Sequence, residues 1–478
     1  MKKNLKRALC LAMLLFIAAQ ILPAAAEGYT IDGIRELVAG VDEPVKLEDG
    51  TSRPLINFDN AATTPALIPV MDEVNAKLLM YASIGRGYSL KSDYTTDLYE
   101  KTRETVMRFV GLDPEEDRNY TVFYVNNTTD GLNKLASALI TSPDDLVLST
   151  RMEHHANDLS WRERCKVIYA EVDDMGRIRY DELEKLLSEN TVKIVAVTAA
   201  SNVTGYVTDV HRVAKLAHRY GAMIVVDGAQ IVAHRAFSMK GDTPEENIDF
   251  FTFSAHKMYS PYGGGAVVGL TEVLDQHMPA FYGGGTVNIV ADDHVIYKQA
   301  PAVYEAGSPN YPGVVGMGKA MEILQEVGFD AIRDHEQQLI SRLIDGLKKI
   351  DNVVIYGDTE DISDRVGVVT FNFTDINSYY LATQLSGYGA ATRRGAFCAH
   401  PYVWRLMGIP NEDLDDFADC GDSGTPGMIR VSFGIYNTLE EVDEFLAMLA
   451  RAIPAAKENV AKMIEEVGED RQAFDPNY

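Results

Sequence analysis

Between residues 121 and 253 the chain alternates short apolar runs with amphipathic ones, and this alternation restricts the fold more than any other feature. Thr121–Val125, Asp145–Thr150, Lys166–Ala170, Val192–Ala199 and Ala222–Val226 are rich in β-branched and apolar residues and read as strands. Asp181–Glu189 and His211–Tyr220 read as helices; in the second, Val213, Ala214, Leu216 and Ala217 share the apolar face. Val192–Ala199 is apolar almost without interruption, as a parallel strand buried on both faces must be. Strands alternating with helices form βαβ units, hence an α/β fold with a mainly parallel sheet flanked by helices. Ligands of such sheets bind beyond the carboxyl ends of the strands. From about Gly316 the pattern changes. A helix over about Gly318 to Val327 precedes mixed segments, among them a strand at Val366–Phe373 and an amphipathic helix at Leu439–Ala452. The expected organisation is an N-terminal arm at 27–60, a large domain at 61–315 and a smaller C-terminal α+β domain at 316–478.

Residues 1–26 stand apart from this pattern. Lys2, Lys3, Lys6 and Arg7 form a basic head, Ala8 to Leu22 an apolar run, and Ala24-Ala25-Ala26 a small-residue site before Glu27. This reads as a signal peptide or an N-terminal membrane anchor. The protein is then exported or membrane-anchored, or it faces the cytoplasm if the segment stays as an anchor. Without the segment Cys165, Cys398 and Cys420 remain, an odd number that leaves at least one thiol unpaired within the chain. The chain carries 44 Lys and Arg against 70 Asp and Glu, a net charge of -26, which argues against a nucleic-acid partner.

The segment Phe251–Gly265 carries the chemistry. A strand ends near Phe253, Ser254, His256 and Lys257 follow at once, and a glycine turn closes the segment. Upstream, Asp227 ends an apolar strand, where a carboxylate must be paired or hydrogen-bonded. A lysine that forms a Schiff base needs a carbonyl cofactor, and a pyridinium nitrogen suits a buried carboxylate; pyridoxal 5'-phosphate supplies both. Its phosphate needs helix-start N–H groups and hydroxyls. Thr128 and Thr129 lie between a strand and a helix, and Ser254 and His256 close the other side. His154 offers a flat partner for the ring, and Gln230 and Asn202 can hydrogen-bond its hydroxyl. No G-x-S-x-G elbow marks a hydrolase, and His154-His155 has no partner at metal-ligand spacing, so no metal is expected.

In order and spacing, His154, Asn202, Asp227, Gln230, Lys257 and Arg430 resemble the class V aminotransferase-like branch of fold-type I pyridoxal phosphate enzymes, specifically the cysteine desulfurases and selenocysteine lyases. The resemblance runs from about Asn57, in Asn57-Phe-Asp-Asn-Ala-Ala-Thr-Thr-Pro65, to Asn437. It implies that Lys257 is the Schiff-base lysine and moves the substrate's α-proton. Asp227 would protonate the pyridine nitrogen, and His154 would stack on the ring. Thr129, Ser254 and His256 would hold the phosphate, and Arg430 would clamp the substrate carboxylate, with Arg393 beside it. Family members are homodimers; Glu305–Asn310, carrying Ser308, matches the loop that reaches the partner's phosphate. Cys398, in Arg393-Arg-Gly-Ala-Phe-Cys398-Ala-His-Pro401, matches the cysteine that takes sulfur from L-cysteine and releases L-alanine, leaving a persulfide for a possible sulfur-acceptor protein. Ala396, Phe397 and the acidic stretch Asn411 to Asp422 depart from the usual desulfurase pattern. The alternatives are another class V reaction, as an aminotransferase or an epimerase of an amino acid or small peptide, and a non-catalytic exported binding protein, which the presence of both Lys257 and Asp227 opposes.

Overall fold

A computed structural model describes residues 28–85, 87–418 and 421–467. Residues 1–26, expected as a signal peptide or anchor, and Cys420 lie outside the described residues. No helix of the described residues is long and apolar enough to cross a membrane.

Seven strands form the central sheet: β1 (Tyr120–Val125), β2 (Leu146–Thr150), β3 (Lys166–Ala170), β4 (Ile194–Thr198), β5 (Met223–Asp227), β6 (Phe250–Ser254) and β7 (Gly265–Leu270). Their order in space is β1-β7-β6-β5-β4-β2-β3. β7 pairs antiparallel with both of its neighbours, and the other pairs are parallel. Every residue of β4 and β6 is buried. Alternate side chains of β4 enter two different apolar clusters, Val195 and Val197 one, Ile194 and Ala196 the other. Two-faced burial is why this strand reads as an unbroken apolar run.

The smaller domain holds an antiparallel sheet of β8 (Val353–Tyr356), β9 (Val368–Phe373), β10 (Arg393–Gly395) and β11 (Met428–Ser432), ordered β8-β9-β11-β10. Its core is a separate cluster fed by helices Phe329–Leu347, Ser378–Gly387 and Leu439–Val467.

The boundary expected at 315/316 falls inside one helix, Tyr311–Val327. Val314, Met317, Met321 and Leu324 of that helix bury in the large-sheet core, and C-terminal to it the first residue of the second core is Leu339. Glycine in this helix allows close packing. A Cβ on Gly318 would lie 3.0 Å from Thr102 Cγ2 in the helix Leu90–Phe109. The arm joins both domains: Ile34 and Val38 enter the large core, Ile56 and Phe58 the smaller one. The chain also returns from the smaller domain to the large core through Phe397, Tyr402 and Trp404, and so carries Cys398 back to the sheet.

Candidate active site

The parallel strands end on one side of the sheet, and a cavity of about 300 Å³ lies there. Asp227 enters it from the end of β5 and Ser254 from the end of β6. Lys257 follows in a short turn of helix, Ala255–Lys257. Thr128 and Thr129 open the helix Thr128–Leu139 after β1. His154 is the N-cap of helix His155–Arg162 after β2. All the residues singled out from the sequence line this cavity except Ser308. Ser308 lines a separate small cavity with Tyr99, Glu305 and Asn310.

Buried Asp227 accepts a hydrogen bond from Ala229 N at 2.9 Å. Burial pushes its carboxyl up, against the Ala229 N–H and the charge of Lys257. Burial lowers Lys257 to about 8; Arg430 adds to the effect and Asp227 opposes it. Burial and then Lys257 bring His154 down to about 3 and His256 to about 4. Both imidazoles are therefore neutral near pH 7. His154 Nδ1 accepts from Ala156 N at 3.1 Å, so the ring proton lies on Nε2.

At the other end of the cavity, Thr128 N donates to Ser254 Oγ at 2.8 Å and the two hydroxyl oxygens are 2.7 Å apart. This is a polar, helix-start environment suited to a phosphate. Gln230 Nε2 is held by Ala61 O at 2.9 Å, which leaves its carbonyl oxygen for a ligand.

Arg430 is buried on β11. Its Nη2 meets Asp59 Oδ1 at 2.9 Å, its Nη1 donates to Asn202 O at 3.1 Å, and its Nε has no partner. Burial lowers its pKa, and Asp59 opposes this. The guanidinium lies 4.9 Å from the centre of the Phe397 ring. Exposed Arg393 approaches the same Asp59 at 3.6 Å. Arg394 instead turns to Ser378 and Thr425. Asp59 and Phe397 had no site role in the sequence reading. Asp59 stood in the quoted Asn57–Pro65 motif, but its ion pair forms only when the arm crosses to β11.

Cys398 is exposed, with its backbone at φ 56° after Phe397 at φ 52°. His155 N donates to Cys398 O at 2.6 Å, and Asn202 Nδ2 donates to Phe397 O at 2.7 Å. Asn202 thus spends its amide group on the cysteine loop and keeps its carbonyl oxygen for the cavity. Cys165 is half-buried against Trp161 O and does not line this cavity. Among the described residues no cluster of metal-ligating side chains occurs.

The residues present fit pyridoxal phosphate. A buried carboxylate, a lysine with a depressed pKa, a neutral imidazole and a hydroxyl-lined helix start converge on one cavity.

Comparison with known proteins agrees with this geometry. Residues 56–445 match the family described as aminotransferase class-V. A probable cysteine desulfurase of Halalkalibacterium halodurans is 33% identical over 426 residues, 87% of this chain and 96% of the relative. A cysteine desulfurase of Haloferax volcanii is 33% identical, over 89% of this chain and 94% of its own length. Among solved structures, the apo cysteine desulfurase of Thermococcus onnurineus NA1 superposes with a TM-score of 0.77 at 29% identity, over 90% of this chain and all of that one. A cysteine desulfurase of Escherichia coli, solved as an S-sulfonic acid, gives 0.74 at 26% identity, over 90% of this chain and 99% of its own. With its large, mostly parallel sheet flanked by helices, its smaller second domain and this match over most of its length, the chain belongs to the aminotransferase class-V family of the fold-type I enzymes.

Proposed function

We propose that this protein is a pyridoxal phosphate-dependent cysteine desulfurase, which converts L-cysteine to L-alanine and leaves the sulfur on Cys398. The observation that carries the reading is the exposed Cys398 in the same cavity as Lys257, Asp227 and Arg430.

Bound pyridoxal phosphate withdraws electrons from the substrate's α-carbon and weakens the bonds there. The residues of the chain do the rest. Lys257 would hold the cofactor through its amine and, once freed, would move the substrate's α-proton. Asp227 would keep a proton on the pyridine nitrogen, and neutral His154 would stack against the ring. Thr128, Thr129, Ser254 and His256 would hold the phosphate; Gln230 and Asn202 would offer carbonyl oxygens to the ring hydroxyl. Arg430 binds the α-carboxylate through a planar fork, with Arg393 at the cavity mouth. Cys398 Sγ attacks the sulfur of the bound cysteine. The S–S bond forms, the substrate's C–S bond breaks, and its electron pair takes a proton at the β-carbon, giving the methyl group of alanine. The balance is one L-cysteine and one enzyme thiol in, one L-alanine and one enzyme persulfide out.

The persulfide then passes to a thiol of an acceptor protein. Two chains form a homodimer, in which Ser308 of one reaches the phosphate of the other; its place outside its own chain's cavity supports this. Residues 1–26 export the protein or anchor it.

The test is alanine release from L-cysteine by the purified protein with pyridoxal phosphate and a thiol reductant, beside Cys398→Ala. Alanine from the parent and none from the variant is the expected result. Cofactor binding without alanine would discard sulfur removal in favour of amino-group transfer or epimerisation.

A further inference from the structure

Next to His154, outside the lining of the cavity, a second carboxyl group is buried. Glu153 is 2% exposed, in the turn between β2 and the helix that His154 caps. Thr150 Oγ1 meets its Oε1 at 2.6 Å, and Asn157 Nδ2 donates to its Oε2 at 2.7 Å. Asn157 in turn accepts from Trp161 Nε1 at 3.1 Å, so the chain of contacts ends inside the core. A backbone contact comes from Thr198 at the end of β4, and from β5 the charged neighbour is Asp227. Neither Glu153 nor Asp227 forms an ion pair among the described residues, but the charge of Lys257 acts on Asp227 and no cation acts on Glu153. Both groups are buried and Asp227 repels a charge on Glu153, so ionisation of both is disfavoured and the one without a cation keeps its proton.

We propose that Glu153 is a positioning residue carried as the neutral acid, which braces the turn that presents His154 and leaves Asp227 the single negative charge beneath the cofactor ring. The inference rests on the functional reading only in naming what Asp227 faces. Burial first, with Asp227 adding, pushes Glu153 up to about 8; Thr150, Asn157 and Thr198 oppose this. The neutral form is therefore complete well below that pH and lost above it. A carboxylate there at neutral pH would double the charge at the ring and change how strongly the pyridine nitrogen holds its proton.

The test is infrared spectroscopy of the holoenzyme and of Glu153→Gln, with the pH dependence of cofactor absorbance followed in parallel. The wild type should show a protonated-carboxyl band at about pH 6 that the variant lacks, fading as the pH passes through about 8. Glutamine copies the shape and charge of the neutral acid, so the absorbance profile of the variant should match the wild type below about pH 7. No difference band at about pH 6, or a profile displaced by about one unit, would mean that Glu153 is a carboxylate and would overturn the proposal. If Glu153→Gln does not fold, the band is sought in Asp227→Asn, where burial alone must keep it present at about pH 5 and it must fade at a lower pH than in the wild type, because the charge of Asp227 no longer adds; its absence there rejects the proposal equally. A band present in a protein that releases no alanine leaves this inference standing while the desulfurase reading falls.

Discussion

Lys257 must lose a proton before its amine can attack a carbonyl carbon, and burial favours that loss. With its pKa lowered to about 8, the neutral fraction grows with pH up to that point and levels off above it. Covalent capture of added pyridoxal phosphate by cofactor-free protein should accelerate about tenfold per pH unit below 8 and then plateau, as stopped-flow absorbance will record. A rate that keeps climbing to pH 10 or so would place the lysine back at its ordinary value. Lys257→Ala should abolish the absorbance change that amino acid produces in the loaded protein. Arg430 offers a test of a different kind. Charge-assisted hydrogen bonds contribute about 1.5–3 kcal/mol, so Arg430→Ala should raise KM for L-cysteine about 10- to 150-fold. An unchanged KM would put the carboxylate clamp elsewhere.

At the scale of elements, the cysteine loop and the phosphate end are held by different means. Phe397 and Cys398 occupy the left-handed region, which costs a non-glycine residue about 1–2 kcal/mol each. The hydrogen bonds from Asn202 and His155 to their carbonyl groups offset this, so the thiol is presented by a pinned loop. The phosphate end depends on how closely the helix Thr128–Leu139 sits on β6. A Cβ on Gly131 would lie 2.3 Å from Thr252 Oγ1. Gly131→Ala should therefore push the helix start from Ser254, weaken cofactor binding and cost about 1–3 kcal/mol of stability. Cofactor titration and urea unfolding read the two effects separately. Unaltered cofactor affinity would show that the contact between Thr128 and Ser254 does not build the phosphate site.

On the scale of the molecule, the site lies where the large domain, the smaller domain and the arm meet: Arg430 comes from β11, Asn202 from the large domain and Asp59 from the arm. A buried tie holds the two domains in register. Glu336, on the helix Phe329–Leu347, takes His234 and Arg235, which follow shortly after Asp227 and Gln230. Removing one partner of a buried ion pair costs about 3–5 kcal/mol, because the other is left uncompensated. Glu336→Ala should lower the urea midpoint accordingly and loosen the cleft; a midpoint equal to the wild type would remove the tie from the account.

The order of strands and helices, the two-faced burial of β4 and the gathering of Asp227, Ser254 and Lys257 at one sheet end were legible in the chain. They depend on local periodicity and on which residues close each strand. The ion pair of Arg430 with Asp59 was not legible, because 371 residues separate the partners. The expected boundary at 315/316 cuts the helix Tyr311–Val327, whose apolar face packs on the large core, and which core a helix joins is decided by packing and not by local periodicity. Nothing in the sequence around Glu153 marks it as buried. Only the enclosure built by β2, β4, β5 and the following helix makes it a buried acid, since desolvation depends on what surrounds a group in space and not on its neighbours along the chain.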